Sequence, residues 1–189
     1  MNSKKAEMGV GTLIIFISLL LVAAVAAGVL IQTAGSLQQR ALSTGQAAQA
    51  EISSRAIILE VSGEDGSLGG VDTFMVLSRL APGSNSMQLS DVILTLSSDN
   101  TSQSLQYGGV DPVVGNTTHF SVRYLQRGSD NSDGLFVRGD VIEIQFSAPR
   151  NFTSSESVRI NFVPRVGMNS LVQFSLPNVI STQRVYLYP

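Results

Sequence analysis

The stretch MGVGTLIIFISLLLVAAVAAGVLI, residues 8–31, contains no charged residue and is dominated by Leu, Ile, Val and Ala. A helix rises about 1.5 Å per residue and needs around 20 residues to cross the hydrocarbon core of a bilayer, so this segment is long enough. Lys4 and Lys5 precede it, which places the N-terminus on the cytoplasmic side and directs the rest of the chain outward. An ordinary secretory signal is shorter and ends at a small-residue cleavage site, whereas here the helical pattern continues.

The apolar pattern after Ile31 narrows to one stripe, which is typical of a helix packed along one side. One helix is therefore predicted over residues 7–60, apolar all round in its first half and striped in its second, and roughly 75 Å long. The stripe consists of Ala34, Leu37, Ala41, Ala48, Ile52, Ala56 and Leu59.

Composition excludes several classes of function. The 189 residues suffice for one moderate domain plus an extra element, and the formal net charge of −2, without a basic cluster, gives no indication of nucleic-acid binding. There is no cysteine, which excludes disulfides, thiolate metal sites and cysteine nucleophiles. With one histidine and no convincing nucleophile–base pair, the chain is not predicted to be an enzyme.

The second half of the chain changes to a period of two. Residues 61–70 are rich in Ser, Gly and acidic residues and are predicted to be a linker. Many short alternating segments separated by Gly, Pro, Asn and Ser predict an antiparallel, immunoglobulin-like β-sandwich or barrel over residues 71–189, and hence an α+β fold. The predicted strands lie at 72–79, 92–96, 119–124, 142–146, 158–162, 171–176 and 184–188.

An apolar helix joined to an exported β-domain can bury its surface in two environments. It can remain in the membrane as an anchor, or it can leave and bury its surface against copies of itself. Burial is worth about 25 cal/mol per Å² of apolar area, so either environment satisfies the helix.

The residues around the start of the helix favour burial against copies of the same chain. The order Lys4-Lys5-Ala6-Glu7-Met8-Gly9-Val10-Gly11-Thr12-Leu13-Ile14, with 21-LVAAVAAGVLIQTAG-35 further on, closely resembles the front of archaeal flagellins (archaellins). The resemblance is strong over about residues 4–60 and weaker beyond. It implies that a prepilin-like leader peptidase recognises Lys4, Lys5, Gly9 and Gly11 and cuts between Ala6 and Glu7, so that residues 1–6 are a removed leader.

The resemblance also implies an assembly. The precursor is inserted in the cell membrane, and the mature subunits polymerise with one another into an extracellular filament used for swimming, with the helices as its core and the β-domains as its coat. Other archaellum proteins would supply assembly and the motor. The expected core residues are Leu13, Ile14, Phe16, Ile17, Leu20, Leu21, Ala24, Ala27, Gly28 and Ile31.

Four further motifs carry weaker expectations. Asn100, Asn116 and Asn151 begin Asn-X-Ser/Thr sequences and are candidate N-glycosylation sites, as expected for an extracellular glycoprotein. Asp130 and Asp133 are candidate ligands of a structural calcium ion, but the stretch lacks the regular spacing and the distal Glu of a calcium loop. A polar surface turn is the preferred interpretation, and no other cofactor is expected.

Two other functions remain open at this stage. A type IV-like adhesion pilus is built by the same processing and helix-core logic, and would serve attachment rather than swimming. A membrane-anchored extracellular binding module with an immunoglobulin-like domain is the second alternative, but it leaves the stripe after Ile31 unexplained.

Overall fold

The computed structural model describes residues 2–65, 69–111, 115–130, 132–180 and 182–189, and it describes the backbone alone at residues 2–6 and 65. The chain divides into two compact units, residues 1–48 and 49–189. The first unit is helical throughout its described part, whereas the second holds the end of the helix and the sheet.

A single long helix, α1, spans Asn2–Ser53. Its sequence has no proline and is rich in Ala and Leu, the residues that lose least on entering a helix. Hydroxyls inside it bond back to the preceding turn, as Ser18 does to the Ile14 carbonyl at 2.8 Å.

The predicted end of the helix at residue 60 is wrong, and so is the predicted linker from residue 61. The chain leaves the helix after Ser53 and enters strand β1, Ala56–Asp65. The adjacent β-branched residues Ile57 and Ile58 favour a strand, although the three-four spacing of Ala56 and Leu59 had suggested more helix. Residues 66–68 of the predicted linker lie outside the described part of the chain.

The described residues of the second unit form eleven strands and one short 3-10 turn at Leu89–Asp91. All seven predicted strands are present, whereas β1, β5 and the two-residue strands β3 and β7 were not foreseen. The strands are β1 Ala56–Asp65, β2 Val71–Leu80, β3 Met87–Gln88, β4 Val92–Ser98, β5 Thr101–Val110, β6 His119–Gln126, β7 Leu135–Phe136, β8 Val141–Phe152, β9 Ser157–Pro164, β10 Ser170–Ser175 and β11 Arg184–Tyr188.

Nine of these strands form one sheet in the order β10-β9-β4-β5-β6-β8-β2-β1-β11, and β3 pairs separately with β7. The predicted α+β class is confirmed, with one departure from an antiparallel sheet: β5 and β6 run parallel. Their pairing starts at Gln106 opposite His119. The chain between Val110 and His119 therefore has to return over only the short paired part of β5. Eight residues can span about 26 Å, which is sufficient for this return.

The core lies between the two halves of the folded sheet. Phe74 on β2 is fully buried and packs against Phe146 and Phe152 at 5.7 Å each, and against Phe174 at 6.2 Å, measured between ring centroids. The alternation predicted for β8 is confirmed, because Ile142, Ile144 and Phe146 are all fully buried.

The two ends of the sheet approach each other next to the end of α1. The hydroxyl of Ser170, at the start of β10, donates a hydrogen bond to the carbonyl of Ala56 at the start of β1. Just before these strands, Arg55 and Met168 form a parallel bridge. This closure, hereafter the seam, brings β10 beside β1 and β11.

Candidate functional site

The most conspicuous functional feature is the apolar surface of α1. The large side chains among the expected core residues are between 48% and 73% exposed. They lie on one side of the helix, and the exposed residues Ile15, Leu19 and Val22 extend the apolar surface around the other side. An exposed apolar surface of this extent is far beyond what isolated soluble proteins carry. Between Glu7 and Ser53 the helix is long and apolar enough to cross a membrane.

Small residues interrupt this surface at regular places. Ala24, Ala27 and Gly28 are exposed along the middle of the apolar half, and no atom lies within 4 Å of a Cβ built at Gly28. Small side chains allow a second helix to approach the backbone closely, which strengthens dispersion contacts between helices. This surface therefore suits helix packing as well as lipid.

The structure places the expected leader residues on the first turns of α1. Glu7, Gly9 and Gly11 are exposed, and space around both glycines is open. The side chains of Lys4, Lys5 and Ala6 lie outside the described part of the chain. The proposed cleavage position between residues 6 and 7 is thus helical in the backbone.

The sequence did not reveal the residues that fix the end of α1. The buried hydroxyl of Ser84 accepts a hydrogen bond from the Arg55 amide at 3.0 Å, and the Ser54 carbonyl accepts one from the Met168 amide at 2.8 Å. Gly167 has φ +118° and packs so tightly that an added Cβ would lie 2.5 Å from the Ser54 carbonyl oxygen. Contacts between positions so distant in the chain leave no local sequence signal.

All three candidate glycosylation asparagines are exposed in the second unit. Asn100 lies in the tight turn between β4 and β5, and Asn151 lies near the end of β8. Asn116 precedes β6, where its side-chain carbonyl accepts hydrogen bonds from the amides of Thr118 and His119 at 2.9 and 2.8 Å. Each position is accessible to a glycan on the folded domain.

The candidate calcium residues are also exposed, but one is already paired. Asp133 accepts a hydrogen bond from Arg127 at 2.8 Å, and Asp130 lies on the surface nearby. Asn131, between them, lies outside the described residues. Among the residues that the structure describes, no group of three His, Cys, Asp or Glu side chains could hold a metal ion.

An ion pair anchors the end of β8 to the start of β9. Arg150 donates two hydrogen bonds to the two carboxylate oxygens of Glu156, at 3.0 and 2.7 Å, and its guanidinium lies 4.5 Å from the centre of the Phe152 ring. The hydrogen bonds from Arg150, reinforced by the Thr153 hydroxyl and amide, lower the pKa of Glu156 to about 2. This arrangement is structural, since it holds a turn.

The chain is similar to known proteins in family, sequence and structure. The family model described as archaeal-type flagellin matches residues 6–174. Flagellin B1 of Methanocaldococcus jannaschii is 31% identical, covering 94% of this chain and 92% of that protein, and Flagellin B2 of Halobacterium salinarum is 33% identical, covering 93% and 91%.

Two solved structures share the fold. The crystal structure of archaeal flagellin FlaB1 from M. jannaschii has a TM-score of 0.65 at 21% identity and covers 71% of this chain and 97% of that chain. The archaeal flagellum of Methanospirillum hungatei has a TM-score of 0.72 at 13% identity, covering 96% and 99%. The second likeness includes the long helix as well as the β-domain.

Proposed function

This chain belongs to the archaeal-type flagellin family and is a structural subunit of the archaellum filament, and we propose that α1 forms the dry core of that filament. The observation that carries the proposal is the apolar surface of α1, which the described part of the chain leaves exposed. Burying the apolar segment 8–31 contributes tens of kcal/mol as an upper bound, at about 25 cal/mol per Å².

Two environments bury this surface, one before assembly and one after it. Before assembly the precursor sits in the cell membrane, since α1 is long and apolar enough to cross it. On assembly the helix exchanges lipid for the helices of sister copies in an extracellular filament that serves swimming. The small residues Ala24, Ala27 and Gly28 support the second state, because they permit close helix approach.

Removal of the leader couples these two states. A prepilin-like peptidase that cuts between Ala6 and Glu7 removes Lys4 and Lys5, whose charges would each cost several kcal/mol in a dry core. Cleavage therefore converts an anchored precursor into an assembling subunit. The remaining partners are the archaellum assembly and motor proteins, and the subunit itself works without catalysis or a cofactor.

The test is N-terminal sequencing of the subunit in filaments sheared from cells, beside the same protein from the membrane fraction. Filament subunits are expected to begin at Glu7, and the membrane fraction is expected to contain the chain that begins at Met1. Replacing Lys4 and Lys5 by Gln should reduce leader processing, and replacing both by Arg, which keeps the charges that orient the helix in the membrane, is the matched control. Filaments built from subunits that retain Met1 would overturn the processing step.

We further propose that Asn100, Asn116 and Asn151 carry N-linked glycans in the filament. Their exposure supports this, since a glycan needs open space on the folded surface. Intact mass spectrometry of sheared filaments should show added mass that falls in steps when each asparagine is replaced by Gln. An unmodified subunit mass would refute the assignment.

A further inference from the structure

A second apolar surface lies on the β-domain, at the seam. It comprises Ile52, Met168, Leu171 and Tyr188, which are 73%, 48%, 60% and 38% exposed, and we call it the seam patch. Ile52 and Met168 line one groove of about 520 Å³, and Leu171 and Tyr188 line another of about 310 Å³. Asn169 lines both grooves, so the two are adjacent.

The seam patch is not needed for the fold of the β-domain. Val172 and Phe174 on β10 already turn their side chains into the core, whereas Leu171 lies on the outer face of the same strand. The backbone of β10 is paired with β9, and the seam is closed by the Ser170 hydroxyl. Apolar side chains gathered on an outer face beside two grooves mark an interaction site.

We propose that the seam patch binds the striped half of α1, residues 33–53, from a second copy of this chain. The inference rests on the proposed filament function and adds a second contact to it. The patch is continuous with the helix surface, because Ile52 belongs to the last turn of α1 as well as to the groove.

The chemistry of the striped half matches the seam patch. Leu37 is 65% exposed and can enter a groove, while Ala34 and Ala41 on the same stripe keep the helix surface beside it flat. Arg40 and Glu51 are the charged residues in the sequence 33–53, so the segment brings little charge against an apolar surface. The described part of α1 has more exposed large apolar side chains than the described β-domain has, so α1 is the main apolar surface that a second copy can offer.

Crosslinking tests the proposal directly, because the natural chain has no cysteine. Two full-length variants are produced in the same cells, one carrying Leu171→Cys and the other Leu37→Cys, and sheared filaments are treated with a short bis-maleimide. Because each copy carries one thiol, a mixed dimer reports contact between different copies. Ala41→Cys and Ala48→Cys scan the rest of the stripe, and Val179→Cys, exposed on the same domain outside the patch, is the matched control for position 171.

The expected result is a mixed dimer between position 171 and at least one helix position, at least tenfold above the Val179→Cys control. Normal filaments with no such enrichment would overturn the seam contact while leaving the helix-core function intact. If position 171 in the membrane precursor is instead shielded from a water-soluble maleimide, the patch is a lipid contact and the proposal is wrong.

A second measurement keeps the proposal testable if thiols disturb assembly. The double variant Met168→Ser/Leu171→Ser should lower the fraction of processed subunit found in filaments about tenfold, the effect of losing roughly one buried apolar side chain, while Val179→Ser should not change it. Protease resistance of the β-domain should be equal in both variants. An unchanged filament fraction in the double variant would count against the seam contact. Polar substitutions within residues 8–31 test the helix core separately, because they leave the seam patch unchanged.

Discussion

The sharpest test of the helix core is the replacement of Ile17 by Asn, with Ile17→Val as its matched control. Ile17 lies in the apolar half of α1 and is 48% exposed, so about half of its side chain remains to be buried on assembly. Full burial of an isoleucine side chain is worth about 1.5–3 kcal/mol, which makes the loss of apolar burial about 1 kcal/mol.

The amide of Asn adds a second penalty. Burying an amide without a partner costs about 1–3 kcal/mol, so the two effects together weaken assembly by about 2–4 kcal/mol. Since 1.4 kcal/mol is a factor of ten in an equilibrium constant, the constant for assembly of the processed subunit from water should fall about 30- to 1000-fold. Measured against lipid, which already buries Ile17, the apolar part of this loss cancels. Ile17→Val removes one half-buried methylene, about 0.4 kcal/mol, and should change assembly by about twofold or less.

The assay compares, by immunoblot, processed subunit that stays in sheared filaments with processed subunit that the filaments release into water, and it also measures precursor in the membrane fraction. The membrane signal shows that the variant is still inserted and exported, which separates an assembly defect from an insertion defect. The β-domain should be unaffected, because Ile17 belongs to the other compact unit. Equal filament fractions for the Asn and Val variants would refute the reasoning, since a dry helix core cannot accept an unpaired amide without loss.

Acid should lower the free energy of unfolding through Glu156, whose pKa of about 2 lies below its ordinary value of 4.5. The stabilisation from the ion pair with Arg150 is fully present above about pH 4.5 and is lost as pH falls toward 2. Glu156→Gln should therefore lower the free energy of unfolding by about 1–2 kcal/mol at neutral pH and by progressively less toward pH 2, measured by urea unfolding followed with tyrosine fluorescence; an equal loss at both pH values would contradict this. Gly167→Ala should destabilise more than Gly83→Ala by about 2 kcal/mol in the same assay, because both glycines have positive φ but only the Gly167 Cβ would strike the Ser54 carbonyl; equal losses would show that the contact relaxes freely.

Much of the β-domain could be predicted because buried and exposed residues alternate along its strands, and this alternation is visible in the sequence. Ile142, Ile144 and Phe146 alternate with polar neighbours, and each is fully buried. Strand β5 was not predicted because its sequence TSQSLQYGGV has few apolar residues. Of its residues only Leu105 is buried. Its place in the sheet depends on β4 and β6 rather than on its own pattern.

The candidate polymerisation surface could be located from the sequence, whereas its boundary could not. Helical spacing continues through Ala56 and Leu59, so periodicity alone gives no reason to stop at Ser53. The stop is decided by partners distant in the chain, since Ser84 and Met168 bond to Arg55 and Ser54. A pattern read along the chain contains no information about such partners.

The sequence by itself determined that an apolar helix precedes a β-rich domain and that no disulfide can form within these 189 residues, because composition and periodicity depend on neighbours in the chain. The tertiary structure alone decided where α1 ends, how β5 comes to run parallel to β6, and that Ile52, Met168, Leu171 and Tyr188 share one face. These features arise from contacts across the sheet closure, whose energy depends on residues that are far apart in the sequence and close in space.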